Sequence, residues 1–222
     1  MEREEQIIHQ IKQQGLLPLF YHDDAKVCLD IVTALYDGGS RCVEFTNRGP
    51  QALKNFSGLV AERDRSMKDL ILATGTIKTA DAAKQFIDAG ADLLISPFFD
   101  HAVCDESYLQ KICWIPGCMT PSEIHVAEQA GCKMIKLFPG NTLQPGFIEA
   151  ILPLFPGLDF VVTGGVDATA DSMDAWFKAG VAGVGLGSKL ISKELVQKKD
   201  FDGLKTRTKE IISIIQKIRT AR

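Results

Sequence analysis

Short apolar runs alternate along the chain with longer stretches whose apolar residues recur at three- and four-residue spacing. The runs are residues 16–20, 42–46, 70–74, 93–97, 114–118, 134–138, 160–163 and 183–186. Each has the length and composition of a buried strand. They recur every ~20–28 residues, the size of one strand–loop–helix unit. The intervening stretches read as helices. Residues 24–36 place Val27, Cys28, Ile31, Ala34 and Leu35 on one face and stop at Gly38-Gly39. Residues 79–89 and 171–179 repeat the pattern with Gly90 and Gly180 as stops. Thr120-Pro121-Ser122-Glu123 has capping-box spacing with proline at the first helical position, and that helix ends at Gly131. The start, "MEREEQIIHQIKQQG", reads as an amphipathic helix closed by Gly15. Residues 201–222 read as a longer helix with Leu204, Ile211, Ile212, Ile215 and Ile218 facing inward.

Four of these helices end in glycine and run straight into a strand, which implies parallel strands joined by right-handed crossovers. Eight such units without a linker predict a (β/α)₈ TIM barrel, an α/β fold forming a single domain over residues 1–222, with an extra N-terminal helix and a long C-terminal one. A doubly wound open sheet is the alternative, and no GxGxxG follows the first strand to support a dinucleotide fold.

Composition narrows the function. The 222 residues are 45% hydrophobic with a formal net charge of −3. That size buries enough surface to fold without disulfides or metal, and the charge argues against a nucleic-acid partner. No apolar run approaches the ~20 residues of a membrane span, and the charged start is not a signal peptide; the expected location is the cytoplasm. Cys28, Cys42, Cys104, Cys113, Cys118 and Cys132 form no CxxC pair, as expected of buried free thiols. His9, His22, His101 and His125 are scattered, so no metal site is expected.

Barrel chemistry sits where strands finish. In "CVEFTNRGP" alternation puts Cys42, Glu44 and Thr46 on one side. Glu44 is either a proton-transfer group in the barrel mouth or a structural carboxylate. Arg48, just beyond, is either a bidentate carboxylate grip or an exposed loop arginine. Gly75 and Thr76 end the third strand, and Pro97 stops the fourth. In "MIKLF" alternation groups Lys136 with Met134 and Phe138. A lysine facing a barrel interior is the type of residue that supplies an unprotonated amine for Schiff-base formation; one paired with Glu44 or reaching outward is structural. Thr163-Gly164-Gly165 and Gly185, Gly187 and Ser188, the last opening a helix, end the final two strands. Neighbouring glycine-rich turns there either cradle a phosphate or are tight turns packed for their own sake.

The ordered set "VEFTNRGP", "ATGTI", "ISP", "IPGCMTPSE", "IKLFP", "TGG" and "GLGS" resembles the 2-keto-3-deoxy-6-phosphogluconate and 4-hydroxy-2-oxoglutarate aldolase family, over residues 16–190. The resemblance implies a class I aldolase, without metal or cofactor, usually a homotrimer. Its substrates would be a phosphorylated keto acid and pyruvate. It assigns Lys136 as the Schiff-base lysine and Glu44 as the acid/base. Arg48 and Thr76 would hold the substrate carboxylate, Pro97 would line the pyruvate pocket, Phe138 would be a further substrate-binding residue, and Thr163, Gly164, Gly165, Gly187 and Ser188 would face the phosphate end. The expected reaction is cleavage of 2-keto-3-deoxy-6-phosphogluconate to pyruvate and glyceraldehyde 3-phosphate, with 4-hydroxy-2-oxoglutarate as a further substrate. The galactonate epimer, an isomerase or synthase on the same barrel, and a non-catalytic phospholigand-binding barrel are the alternatives. The chain departs from the family pattern at Tyr21, where some relatives have arginine, at Asn47, at Cys118-Met119 and at Gly140-Asn141. These departures bear on the distal half of the substrate.

Overall fold

The computed structural model describes residues 2–221. Nine parallel strands lie in the order β5-β4-β3-β2-β1-β9-β8-β7-β6. They are β1 (Leu16–Phe20), β2 (Cys42–Thr46), β3 (Ile71–Gly75), β4 (Leu93–Ile95), β5 (Cys113–Ile115), β6 (Gly117–Cys118), β7 (Met134–Leu137), β8 (Asp159–Thr163) and β9 (Gly183–Leu186). The two end members, β5 and β6, are consecutive pieces of one extended segment broken at Pro116. β5 pairs with β4 and β6 with β7. The Lys136 N–H also donates to the Pro116 carbonyl at 2.9 Å. The sheet therefore closes on itself as the expected eight-stave barrel.

The bounds of β1, β2 and β9 match their apolar runs. The run at 114–118 is not one strand, because Pro116 has no N–H to give the ladder. The third strand sits one residue later than its run and ends at Gly75, and the fourth ends before Ser96 and Pro97.

The helices are α1 (Glu2–Gln14), α2 (Ala25–Asp37), α3 (Ala52–Ser66), α4 (Ala80–Asp88), α5 (His101–Leu109), α6 (Pro121–Gln129), α7 (Gly140–Ile151), α8 (Ala170–Ala179), α9 (Lys193–Gln197) and α10 (Phe201–Thr220). Asp24, Thr79 and Thr120 cap α2, α4 and α6, and the Thr120–Glu123 capping box is formed from both sides. Gly39, Gly90, Gly131 and Gly180 all adopt positive φ, the conformation that lets the chain leave a helix for the next strand. Met1 and Arg222, the outermost residues of the predicted terminal helices, lie outside the described residues.

The interior is packed from below. Ile7, Ile8 and Ile11 of α1 join Leu17, Cys42, Ile71, Leu93, Cys113, Met134 and Val161 in one buried cluster. That cluster plugs the N-terminal end of the barrel, which leaves the end where the strands finish for side chains of other character. A second, larger cluster fills the space between strands and outer helices, with Phe45, Phe56 and Phe86 fully buried. α10 adds Leu204, Ile211 and Ile215 to it, while Ile212 and Ile218 pack at its edge. Among the described residues no helix is long and apolar enough to cross a membrane.

Five of the six thiols are buried and Cys104 is partly exposed. Burial pushes Cys28, Cys118 and Cys132 up to about 12, and Cys42 and Cys113 also upward. Thiolate is the reactive form. Iodoacetamide at pH 8 is therefore expected to label Cys104 first in the native protein and the other five only on unfolding, as read by peptide mass spectrometry.

Candidate active site

Strand parity decides what enters the barrel. Met134 belongs to the interior cluster, and Lys136, two residues on and about 6.6 Å further up the strand, points the same way. It is 6% exposed. Cys42 and Glu44 stand in the same relation on β2, and Glu44 is 1% exposed. β2 and β7 lie on opposite sides of the barrel, and their long side chains meet across it. Lys136 Nζ is 3.8 Å from Glu44 Oε1. That is ion-pair contact and too long for a good hydrogen bond. Among the described residues neither Glu44 oxygen has a hydrogen-bond partner. Buried carboxylates are normally satisfied, so Glu44 is an acceptor held ready inside a closed site.

Glu44 has room because β3 ends in glycine. A Cβ on Gly75 would lie 1.8 Å from Glu44 Oε1. Gly75→Ala is therefore expected to push the carboxylate off the lysine. The turnover number should fall by roughly 10²-fold, the effect of misplacing a reacting group by about 1 Å. Overpacking should cost about 1–3 kcal/mol. Steady-state kinetics and thermal melts check both.

Above this pair lies a rim of loop residues. Lys136 Nζ sits 5.5 Å from the ring centroid of Phe138, within cation–π range, and Phe138 is 37% exposed. The Phe138–Pro139 peptide bond is cis. Pro97 is half-buried after β4. A Cβ on Gly117 would lie 2.3 Å from the Pro97 carbonyl, so glycine is needed where the two staves approach. Arg48 is exposed just beyond β2, and among the described residues its guanidinium has no ion pair or hydrogen bond. Its loop is pinned by Asn47 N–H to the Gly75 carbonyl at 2.8 Å and Arg48 N–H to the Thr46 carbonyl at 2.9 Å. Thr76 has φ 63. A β-branched residue is strained there, and such strain clusters at ligand sites.

The opposite side of the rim carries the other candidates. Thr163 is 6% exposed. Its hydroxyl has no partner, and Gly185 makes space for it, since a Cβ there would be 2.5 Å away. Gly164 and Gly165 have φ 90 and 74. The Gly164 carbonyl accepts from Asn141 N–H at 2.8 Å, and Gly165 lies against Asn141, leaving no space for a Cβ. Both positions therefore pack closely against neighbouring loop residues. Among the described residues the N–H groups of Gly165 and Ser188 donate to no backbone carbonyl, which leaves them available to an anion.

One expectation is corrected. Ser188 does not open a helix: Gly187 to Leu190 form a turn closed by Leu190 N–H to Gly187 O at 2.9 Å, and α9 starts only at Lys193 behind Ser192. No helix dipole therefore serves this loop.

Sequence reasoning missed the space-making role of Gly185 and the Lys189–Asp167 ion pair, 2.7 Å, that ties the loops after β9 and β8. A glycine inside a strand was the available signal for the first. Nothing local marks the second.

Comparison with known proteins accords with this barrel. A model of the KDPG and KHG aldolases matches residues 7–206; the chain belongs to that family, and is a class I aldolase, a carbon–carbon lyase. Among curated relatives, the 2-dehydro-3-deoxy-6-phosphogalactonate aldolase of Escherichia coli K12 is 29% identical over 162 residues, covering 72% of this chain and 76% of that protein. The 2-dehydro-3-deoxy-phosphogluconate aldolase of Haemophilus influenzae Rd is 25% identical over 213 residues, 96% and 98% of the two chains. In fold the chain is similar to a KDPG aldolase from Legionella pneumophila with pyruvate captured at low pH as a covalent carbinolamine intermediate. The TM-score is 0.84 at 23% identity, over 92% and 97% of the two chains.

Proposed function

We propose that the substrate is 2-keto-3-deoxy-6-phosphogluconate, cleaved to pyruvate and glyceraldehyde 3-phosphate through an imine on Lys136. The observation that carries this reading is the buried Lys136–Glu44 approach at 3.8 Å with both carboxylate oxygens otherwise unbonded. The unprotonated Lys136 amine attacks the C2 ketone. Glu44 relays one nitrogen proton to the oxygen, and a second proton, taken up from solvent and delivered by Glu44, lets that oxygen leave as water, so that a protonated imine remains. Glu44 then takes the C4 hydroxyl proton, directly or through a water. The C3–C4 bond breaks, its electron pair flows into the imine, and the triose phosphate departs. The enamine takes a proton at C3, and water releases pyruvate and the free lysine.

Arg48 and Thr76 hold the substrate carboxylate, which sets the ketone against the amine. Pro97 and Phe138 border the pyruvyl group. Thr163, Gly164, Gly165, Gly187 and Ser188 receive the distal half, with the unpaired N–H groups of Gly165 and Ser188 turned to the phosphate. The same lysine and glutamate also cleave 4-hydroxy-2-oxoglutarate to pyruvate and glyoxylate, which does not use the distal loops.

A second substrate, 2-keto-3-deoxy-6-phosphogalactonate, is favoured by the 29% identical relative. The two are separated by turnover of the gluconate- and galactonate-derived phospho keto acids side by side. Removing the phosphate is expected to lower kcat/KM by roughly 10²-fold, the loss of two or more hydrogen bonds to a charged group; unchanged turnover would remove the phosphate from the assignment. Borohydride reduction with pyruvate is expected to leave a stable adduct on Lys136. Phospholigand binding without any adduct would favour a non-catalytic barrel.

A further inference from the structure

The loop that carries Arg48 is held by the residue that follows β1. Tyr21 stacks beside Phe45 at a centroid distance of 5.7 Å, and its hydroxyl lies over Gly49, where a Cβ would be 2.1 Å from the oxygen. The Tyr21 O–H donates to the Asp23 carboxylate, and the Gln51 backbone N–H is directed at the phenol oxygen. The bond to Asp23 pushes the phenol above its ordinary range, so the hydroxyl keeps its proton. From the other side Asn55 of α3, 4% exposed, donates to the carbonyls of His22 at 3.1 Å and Asp23 at 2.9 Å. The β1–α2 loop is thus fastened to the β2–α3 loop through Tyr21 and to α3 through Asn55. Arg48 stands between Asn47, tied to β3, and Gly49, covered by Tyr21.

Among the described residues the guanidinium has no ion pair or hydrogen bond, so the backbone beneath it sets where it reaches. An arginine that must meet a carboxylate in one orientation gains from such restriction, because ordering it on binding costs affinity.

We infer that Tyr21 is a positioning residue for Arg48, acting through Gly49 and Gln51 to set the reach of the guanidinium toward the keto-acid carboxylate. The inference rests on the proposed carboxylate role of Arg48.

The test is a double-mutant cycle on the full chain, read as the pyruvate concentration giving half-maximal borohydride trapping. Tyr21→Phe keeps the ring against Gly49 and removes the hydroxyl. It is expected to raise half-saturating pyruvate about three- to tenfold, the worth of one hydrogen bond, with the trapping rate at saturating pyruvate unchanged. In an Arg48→Ala background the same substitution should change nothing further. An equal shift in both backgrounds would mean that Tyr21 serves stability or the amine directly, and would overturn the inference, as would no shift in the otherwise native chain. If Arg48→Ala itself leaves half-saturating pyruvate unchanged, the carboxylate role of Arg48 fails and the positioning role of Tyr21 falls with it. If only Tyr21→Phe is silent, the role of Arg48 stands.

Discussion

Lys136→Met is expected to abolish cleavage, with turnover falling by more than about 10⁴-fold, the scale of loss when a covalent nucleophile is deleted. Borohydride trapping with pyruvate should vanish with it. Methionine matches the length of lysine and packs without a charge, so the barrel is retained. The stability effect has two opposing parts. Removing one member of a buried pair strands the other, at a cost of about 3–5 kcal/mol. The native pair is itself poorly repaid, since the two groups stand 3.8 Å apart and the carboxylate has no other partner. Lys136→Met combined with Glu44→Met should therefore recover that loss and reach or exceed native stability by roughly 1–4 kcal/mol, as replaced buried pairs commonly do. Thermal or urea melts of the single and double variants measure it. A double variant less stable than Lys136→Met alone would mean that the pair is structural first and chemical second. Appreciable cleavage by Lys136→Met in a clean preparation would end the imine mechanism.

Glu44→Gln carries the second large effect. The amide keeps the shape of the side chain in the space that Gly75 leaves but accepts no proton at neutral pH. The turnover number should fall by roughly 10²–10⁴-fold, the contribution of a positioned acid/base. Pyruvate should still be trapped on Lys136 at high concentration, more slowly, because proton relay in carbinolamine formation is slowed while the nucleophile remains. This split separates Glu44 from Lys136, whose removal abolishes trapping at every pyruvate concentration. Native-like turnover in Glu44→Gln would assign the proton to another group, with the distal phosphate and Thr163 the nearest alternatives to test.

Much of the architecture was legible because most strands here are largely apolar runs followed by a turn and a capped helix. β1, β2 and β9 could be read to the residue. The helices read from sequence, α1, α2, α4, α6, α8 and α10, have a clear apolar face and, for α2, α4 and α6, the cap residue that the pattern required. α3, α5, α7 and the five-residue α9 escaped. α3 carries Gly58 and a run of charged residues. α5 is nine residues long and ends in the exposed pair Tyr108 and Leu109. α7 contains Pro145 and a left-handed Gln144, so it is two short helices across a kink with no continuous periodicity.

The candidate site divides the same way. Period-two alternation placed Lys136 with Met134 and Glu44 with Cys42 from local geometry alone, because side chains on a strand have only two directions to take. Which direction is inward was not a local matter. It became fixed when α1 filled one end of the barrel with isoleucines and the Pro116 break let the segment serve both neighbours. Two side chains from staves on opposite sides then met over the plug. The sequence by itself determined the staves, their spacing and the company each side chain keeps along its strand. Closure alone decided that an amine and a carboxylate far apart in the chain share one dry space, and that glycines at 75 and 185 leave room for the groups facing them. Contacts across a barrel axis depend on the position of every stave at once, and no window of sequence contains that information.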